Sequence, residues 1–165
     1  MKKPETLSPL KKWWICIRPF SLPASTMPVI FGTVLAVVYG NAEFHSLFFL
    51  MSVVAMVILH GASNILSDVH DYKRGLDKVA TPVSGGVVRG LISLNEARRA
   101  SLVLFGVGLL MGLILAWFTG WILLVIGLVG LVIGVFYTTG SRINLKYNAL
   151  GEIGRASCRE RVYCE

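Results

Sequence analysis

The feature that most limits what this chain can fold into is a set of four apolar runs, at about residues 21–39, 46–67, 100–118 and 121–137. A helix that crosses the hydrocarbon core of a bilayer needs roughly 20 mostly apolar residues. The runs approach or meet that length, and the last, though short, carries no charge. Blocks of this kind differ from the scattered core positions of a soluble domain. Their weight shows in the composition: 55% of the 165 residues are hydrophobic and only 15% are charged, with a mean hydropathy of +0.68. The expectation is an all-α membrane protein with four transmembrane helices, over about 21–39, 46–70, 94–118 and 121–137.

A net charge of +7 would suit nucleic acid, but its placement argues for topology instead. Lys2, Lys3, Lys11, Lys12 and Arg18 precede the first run; Lys73, Arg74, Lys78, Arg89, Arg98 and Arg99 lie between the second and third. Arg142 and Lys146 follow the fourth, and the two other loops hold no Lys or Arg. This is the positive-inside pattern, with both termini and the second loop cytoplasmic. No nucleic-acid partner is needed; the lipid bilayer is the partner, and in a bacterium that means the inner membrane. The basic N-terminus is not read as a cleaved signal, because Arg18, Pro19, Pro23 and Pro28 interrupt the apolar stretch and no small-residue cleavage site follows. Trp13 and Trp14 suit an interfacial belt, and Cys16, Cys158 and Cys164 would face a reducing compartment.

Local signals refine the pass along the chain. Ser93 with Glu96 is a capping-box pair that should start the third helix near Leu94. Gly108 and Gly112, like Gly130 and Gly134, are spaced for close helix packing. The loop at 78–92 carries Gly85, Gly86 and Gly90, whose backbone could approach an anion, and Arg89, suited to phosphate. Residues 153–165 read IGRASCRERVYCE, resemble a translated sequencing adapter, and are set apart as a non-native tail.

The chemistry lies in NILSDVHDYKRGLD, residues 64–77. Positions three and four apart share a helix face, so Asn64, Asp68 and Asp71 line one side of the second helix's cytoplasmic end, with His60 a turn deeper. Such hard oxygen donors suit Mg2+, which binds through one or two carboxylates, waters and phosphate oxygens. The plain alternative is that the acids only end a helix in solvent. Taken alone, His60 reads as a hydrogen-bonded core histidine.

The spacing Asn64-x3-Asp68-x2-Asp71-x5-Asp77, followed by SGGVVRGLIS, resembles the first aspartate-rich motif and loop of the UbiA-type intramembrane prenyltransferases. RPFSLPASTMPVIFGTVLA at 18–36 is similar to that family's first helix, and YTTG at 137–140 with LKYNALGE at 145–152 to its segment after the fourth. The DYKRGLD wording and double glycine resemble the branch that prenylates 1,4-dihydroxy-2-naphthoate in menaquinone synthesis. The resemblance implies that residues 1–152 are the N-terminal part of a roughly nine-helix bundle, using Mg2+, a polyprenyl diphosphate and an aromatic acceptor. It makes Asp68 and Asp71 catalytic and places Asn64, Asp68, Asp71 and Asp77 on the metal. Lys73, Arg74, Arg89, Arg18 and Lys146 become diphosphate contacts. Ser67 stands where the family commonly has Asn, and no second aspartate motif is present, so the chain alone is expected to be inactive. Other UbiA-type acceptors, such as 4-hydroxybenzoate, and a non-catalytic cation-binding membrane protein remain alternatives. A CDP-alcohol phosphatidyltransferase is disfavoured by the absence of its acidic spacing around Asp68.

Overall fold

The computed structural model describes residues 7–73 and 85–139, and all its regular elements are helical. A short helix, α1 (Pro9–Ile17), leads through a 3-10 turn at Pro19–Ser21 into α2 (Pro23–Val38). Then come α3 (Ser46–Lys73), α4 (Leu94–Thr119) and α5 (Trp121–Thr139). These bounds follow the apolar runs closely. The differences are one extra turn on α3, which keeps Asp71 helical, and α1, which the apolar pattern does not announce. Its local signal is Ser8-Pro9: the Ser8 hydroxyl accepts from the Lys11 N–H at 3.4 Å, and proline suits the first helical position.

α1 ends for a reason written in the next residue. Proline disfavours the helical region for the residue before it, and Arg18 sits at φ 56°, ψ 65°, the left-handed region. Its N–H still reaches the Ile15 carbonyl, closing α1 as the chain turns. The segments Pro9–Ser21 and Pro23–Val38 meet at a bend of 57°. α3 and α4 are each long and apolar enough to cross a membrane, and the bent pair would make a third span if it acts as one.

The chain divides into two compact units at Gly120. In the first, α3 is the central helix: it packs most extensively on α4 and also meets α1 and α2. α3 and α4 run antiparallel. Phe48 near the start of α3 stacks on Phe118 at the end of α4, with ring centroids 5.9 Å apart. At the opposite end Ile65 and Val69 of α3 cluster with Ala97 of α4, Cys16 of α1, and Val87 and Ile92 of the connecting segment. Trp13 packs against this cluster while Trp14 is exposed, as neighbouring positions on a helix must diverge. Burying a side chain such as Ile65 from water contributes about 1.5–3 kcal/mol. Within lipid that driving force is missing and close packing replaces it. α5, in the second unit, is apolar over Trp121–Gly130.

The capping pair forms: the Ser93 hydroxyl accepts from the Glu96 N–H at 3.2 Å and α4 begins at Leu94. The glycine pairs divide. Gly108 is buried and a Cβ there would press on the Leu59 side chain, whereas Gly112 and Gly130 face open space. Close packing is thus a property of Gly108 alone among these three. Gly108→Val should therefore destabilise the helix pair by about 1–3 kcal/mol through overpacking. Gly112→Val should leave the unfolding midpoint nearly unchanged when both are melted in detergent.

Candidate functional site

Asp68 lies on the inner side of α3 near its C-terminal end and is only 2% exposed, so it does not merely end a helix in solvent. Its carboxylate is held from two directions. Arg18 Nη2 donates to Oδ1 at 3.3 Å, and the backbone N–H of Val87 donates to Oδ2 at 2.8 Å. A hydrogen bond to a charged group contributes about 1.5–3 kcal/mol, and Arg18 is 20% exposed at its side chain, so the ion pair sits toward the lower end. Two chain segments, 50 and 19 residues from Asp68 in sequence, meet on its carboxylate.

The glycines explain how the connecting segment comes so close. A Cβ on Gly85 would collide with the Asp68 carboxylate, and one on Gly86 with the Cys16 sulfur. Turn bonds from Arg89 N to Gly85 O, Gly90 N to Val87 O and Leu91 N to Gly86 O wind 85–91 tightly. Gly90 supplies the positive φ of 68° that turns the chain toward Ser93. The expectation that this backbone approaches an anion holds in one specific sense: the anion that Val87 N–H reaches is the protein's own Asp68.

The neighbouring polar residues take different directions. Asn64 donates its amide nitrogen to the Ile17 carbonyl at 2.8 Å and the Ser21 hydroxyl at 3.0 Å, which leaves its amide oxygen available as a ligand. Ser21 in turn donates to the Arg18 carbonyl at 2.8 Å and lies 2.8 Å from His60 Nε2. His60 Nδ1 meets the Ser25 hydroxyl. With the Ser21 proton committed to Arg18, Nε2 donates to Ser21 and Nδ1 accepts from Ser25, so His60, half-buried rather than in the core, ties α2 to α3. Asp71 Oδ2 accepts from Ser67 at 3.4 Å. Lys73 is exposed at the end of α3, and Arg89 is half-buried in the turn.

The structure thus brings Arg18 onto Asp68, with Asn64 on the same helix bonded to the residues flanking Arg18. Arg74, Asp77 and Lys146 lie outside the described residues. Among the described residues no three His, Cys, Asp or Glu side chains gather as a metal-binding group. The donors nonetheless fit a hard divalent cation in kind. Asp68, Asp71 and Asn64 share one helix face, and all three offer the hard oxygen atoms that such a cation prefers. Ile17 O, Ser21 and Val87 N–H had no signal in the sequence, because partners so far apart are joined only by folding.

The sequence pattern of the UbiA prenyltransferase family matches residues 25–154, the greater part of the chain. The chain belongs to that family. Two 1,4-dihydroxy-2-naphthoate octaprenyltransferases are similar to it. That of Bacillus subtilis is 32% identical over 91% of this chain and 48% of its own length, and that of Escherichia coli 30% identical over 90% and 50%. The UbiA prenyltransferase domain-containing protein 1 of Danio rerio is 29% identical over 84% of this chain and 41% of its own length. The chain therefore spans about half the length of the curated relatives it matches. No solved structure matches it. Prenyltransferases of this family generally depend on a divalent metal.

Asp68 should be the clasp of the 85–91 turn. Asp68→Ala and Gly85→Ala are each expected to speed amide hydrogen exchange at Val87 by about tenfold or more, in line with losing a charged hydrogen bond. Gly90→Ala should cost about 1–2 kcal/mol of backbone strain with the Val87 bond retained. Exchange measured by mass spectrometry on peptides covering 85–92 checks all three.

Proposed function

We propose that the protein containing this chain transfers a polyprenyl group from a polyprenyl diphosphate to an aromatic acceptor, with 1,4-dihydroxy-2-naphthoate the first choice. The observation that carries this reading is the face of α3 on which Asn64, Asp68 and Asp71 stand, with the Arg18 guanidinium already at Asp68, in a chain of the UbiA family. The acceptor rests on the names of the two bacterial relatives.

In this reading Asn64, Asp68 and Asp71 hold Mg2+, with Asp77 as a further ligand. Arg18, Lys73 and Arg89, joined by Arg74 and Lys146, contact the oxygens of the diphosphate. Mg2+, when bound, neutralises the charge that builds on the departing diphosphate. The cationic side chains add fixed positive charge where negative charge develops. The allylic carbon–oxygen bond breaks with release of diphosphate, an electron-rich ring carbon forms the new carbon–carbon bond, and that carbon sheds its former substituent, a proton or a carboxylate as CO2, to restore the aromatic ring. Apolar helix walls exclude water, which would otherwise capture the allylic cation.

We place residues 1–152 in four membrane-spanning segments of a roughly nine-helix bundle, with 153–165 outside the domain. The cluster then lies at the cytoplasmic side of a bacterial inner membrane. Supporting this are two apolar helices of spanning length, the bent pair before them, and the charge distribution along the sequence.

In membranes carrying the whole protein, Mg2+ should support prenylation of dihydroxynaphthoate, and chelation by EDTA should abolish it. Asp68→Asn and Asp71→Asn should each lower kcat by about 10²–10³-fold, the scale of losing one preorganised electrostatic group. Preferential use of 4-hydroxybenzoate would move the assignment to another acceptor. Metal binding with no transfer to any aromatic acceptor would favour a non-catalytic cation-binding role.

A further inference from the structure

Arg18 already occupies one oxygen of Asp68 that a metal would share. Arg18 Nη2 lies on Oδ1, while Oδ2 is held independently by the Val87 N–H. The two holds differ in kind. Val87 is buried in the core cluster, with its turn braced by glycine contacts, so that bond belongs to the packed framework. Arg18 is partly exposed, at 20% of its side chain, and reaches Oδ1 through a single nitrogen, Nη2. The Arg18 N–H bonds Ile15, and its carbonyl accepts from both the Ser21 N–H and the Ser21 hydroxyl. Its buried Nε has no hydrogen-bond acceptor among the described residues, which leaves a donor spare on the guanidinium.

We propose that Arg18 is a placeholder for the divalent metal at Asp68. It satisfies Oδ1 when the metal is absent, and passes to the diphosphate oxygens when metal and diphosphate arrive together. This rests on the reading of Asp68 as a metal ligand given above, and adds to it a positioning residue that couples the two ligands. The physical reasons are three. A metal cation and a guanidinium on the same oxygen repel one another, which weakens the hold of Arg18 on Oδ1 once a metal is there. A planar guanidinium with unused donors matches a diphosphate bidentately. Asp68 stays attached to the 85–91 turn through Oδ2 throughout, so the exchange requires no loop movement. The consequence is that metal alone competes with Arg18, whereas diphosphate draws Arg18 away and helps the metal. Binding of the two is therefore mutually reinforcing, and that coupling is reciprocal.

The test is Mn2+ binding by the detergent-solubilised chain, followed by the electron paramagnetic resonance of free Mn2+, with inorganic pyrophosphate as the second ligand. Signals are corrected for the Mn2+–pyrophosphate complex in solution. The wild type should bind Mn2+ weakly alone and about tenfold or more tightly with pyrophosphate, within the usual range of such couplings. Arg18→Gln should tighten binding of Mn2+ alone by about tenfold and lose most of the pyrophosphate effect. A role in folding alone would not raise metal affinity, so the sign of the change is the discriminating result. Should the glutamine variant misfold, Arg18→Lys keeps the charge on a single ammonium without the fork. It should then tighten Mn2+ binding alone by about two- to threefold, a fraction of the full coupling. If neither folded variant tightens Mn2+ binding while Asp68→Asn abolishes it, the placeholder role is overturned and Asp68 remains a metal ligand. If Asp68→Asn leaves Mn2+ binding unchanged, the metal assignment falls and the placeholder with it.

Discussion

A buried carboxylate must be satisfied, and in this chain much else is arranged to satisfy one. Desolvating an unpaired carboxylate is so costly that such groups are found paired or protonated. Asp68 is paired by bringing Arg18 from the bend before α2 and the Val87 N–H from the segment before α4 onto the same group. α1 stops at Arg18, which precedes proline and takes a left-handed backbone. The close approach of the segment exists because Gly85 and Gly86 have no Cβ. The apolar cluster of Cys16, Ile65, Val69, Val87 and Ile92 encloses the pair, and lowers the local dielectric that makes it matter.

The same arrangement bears on chemistry. A carboxylate already clasped on one oxygen by backbone presents the other in a fixed direction, which is the preorganisation that metal and phosphate sites require. The polar relay of Asn64, Ser21, His60 and Ser25 does comparable work between α2 and α3. It fixes the segment carrying Arg18 against the helix carrying the acids. Polar groups at membrane depth are costly, and here they are joined to one another rather than scattered.

The three longer helices of the first unit, α2 to α4, were readable because apolar runs of spanning length admit little else once backbone groups must satisfy themselves. The start of α4 was equally readable, since Ser93 and Glu96 act within four residues of each other. α1 was missed: its nine residues, PLKKWWICI, are too short and too charged to register as an apolar run. Close backbone approach was legible in Gly85 and Gly86, but nothing in the order of residues says that Asp68 is what they approach.

By itself, the sequence determined the helical class, the start of α3 and the bounds of α4, the family and the helix face shared by Asn64, Asp68 and Asp71. These depend on hydropathy, capping and the 3.6-residue period, all of which act over a few turns. Only the tertiary structure decided that Asp68 is buried, that Arg18 and Val87 hold its two oxygens, and that Gly108 rather than Gly112 packs closely on α3. Those facts depend on which distant segments share a small volume. Loop closure and side-chain packing settle that question, and neither leaves a periodic mark on the chain.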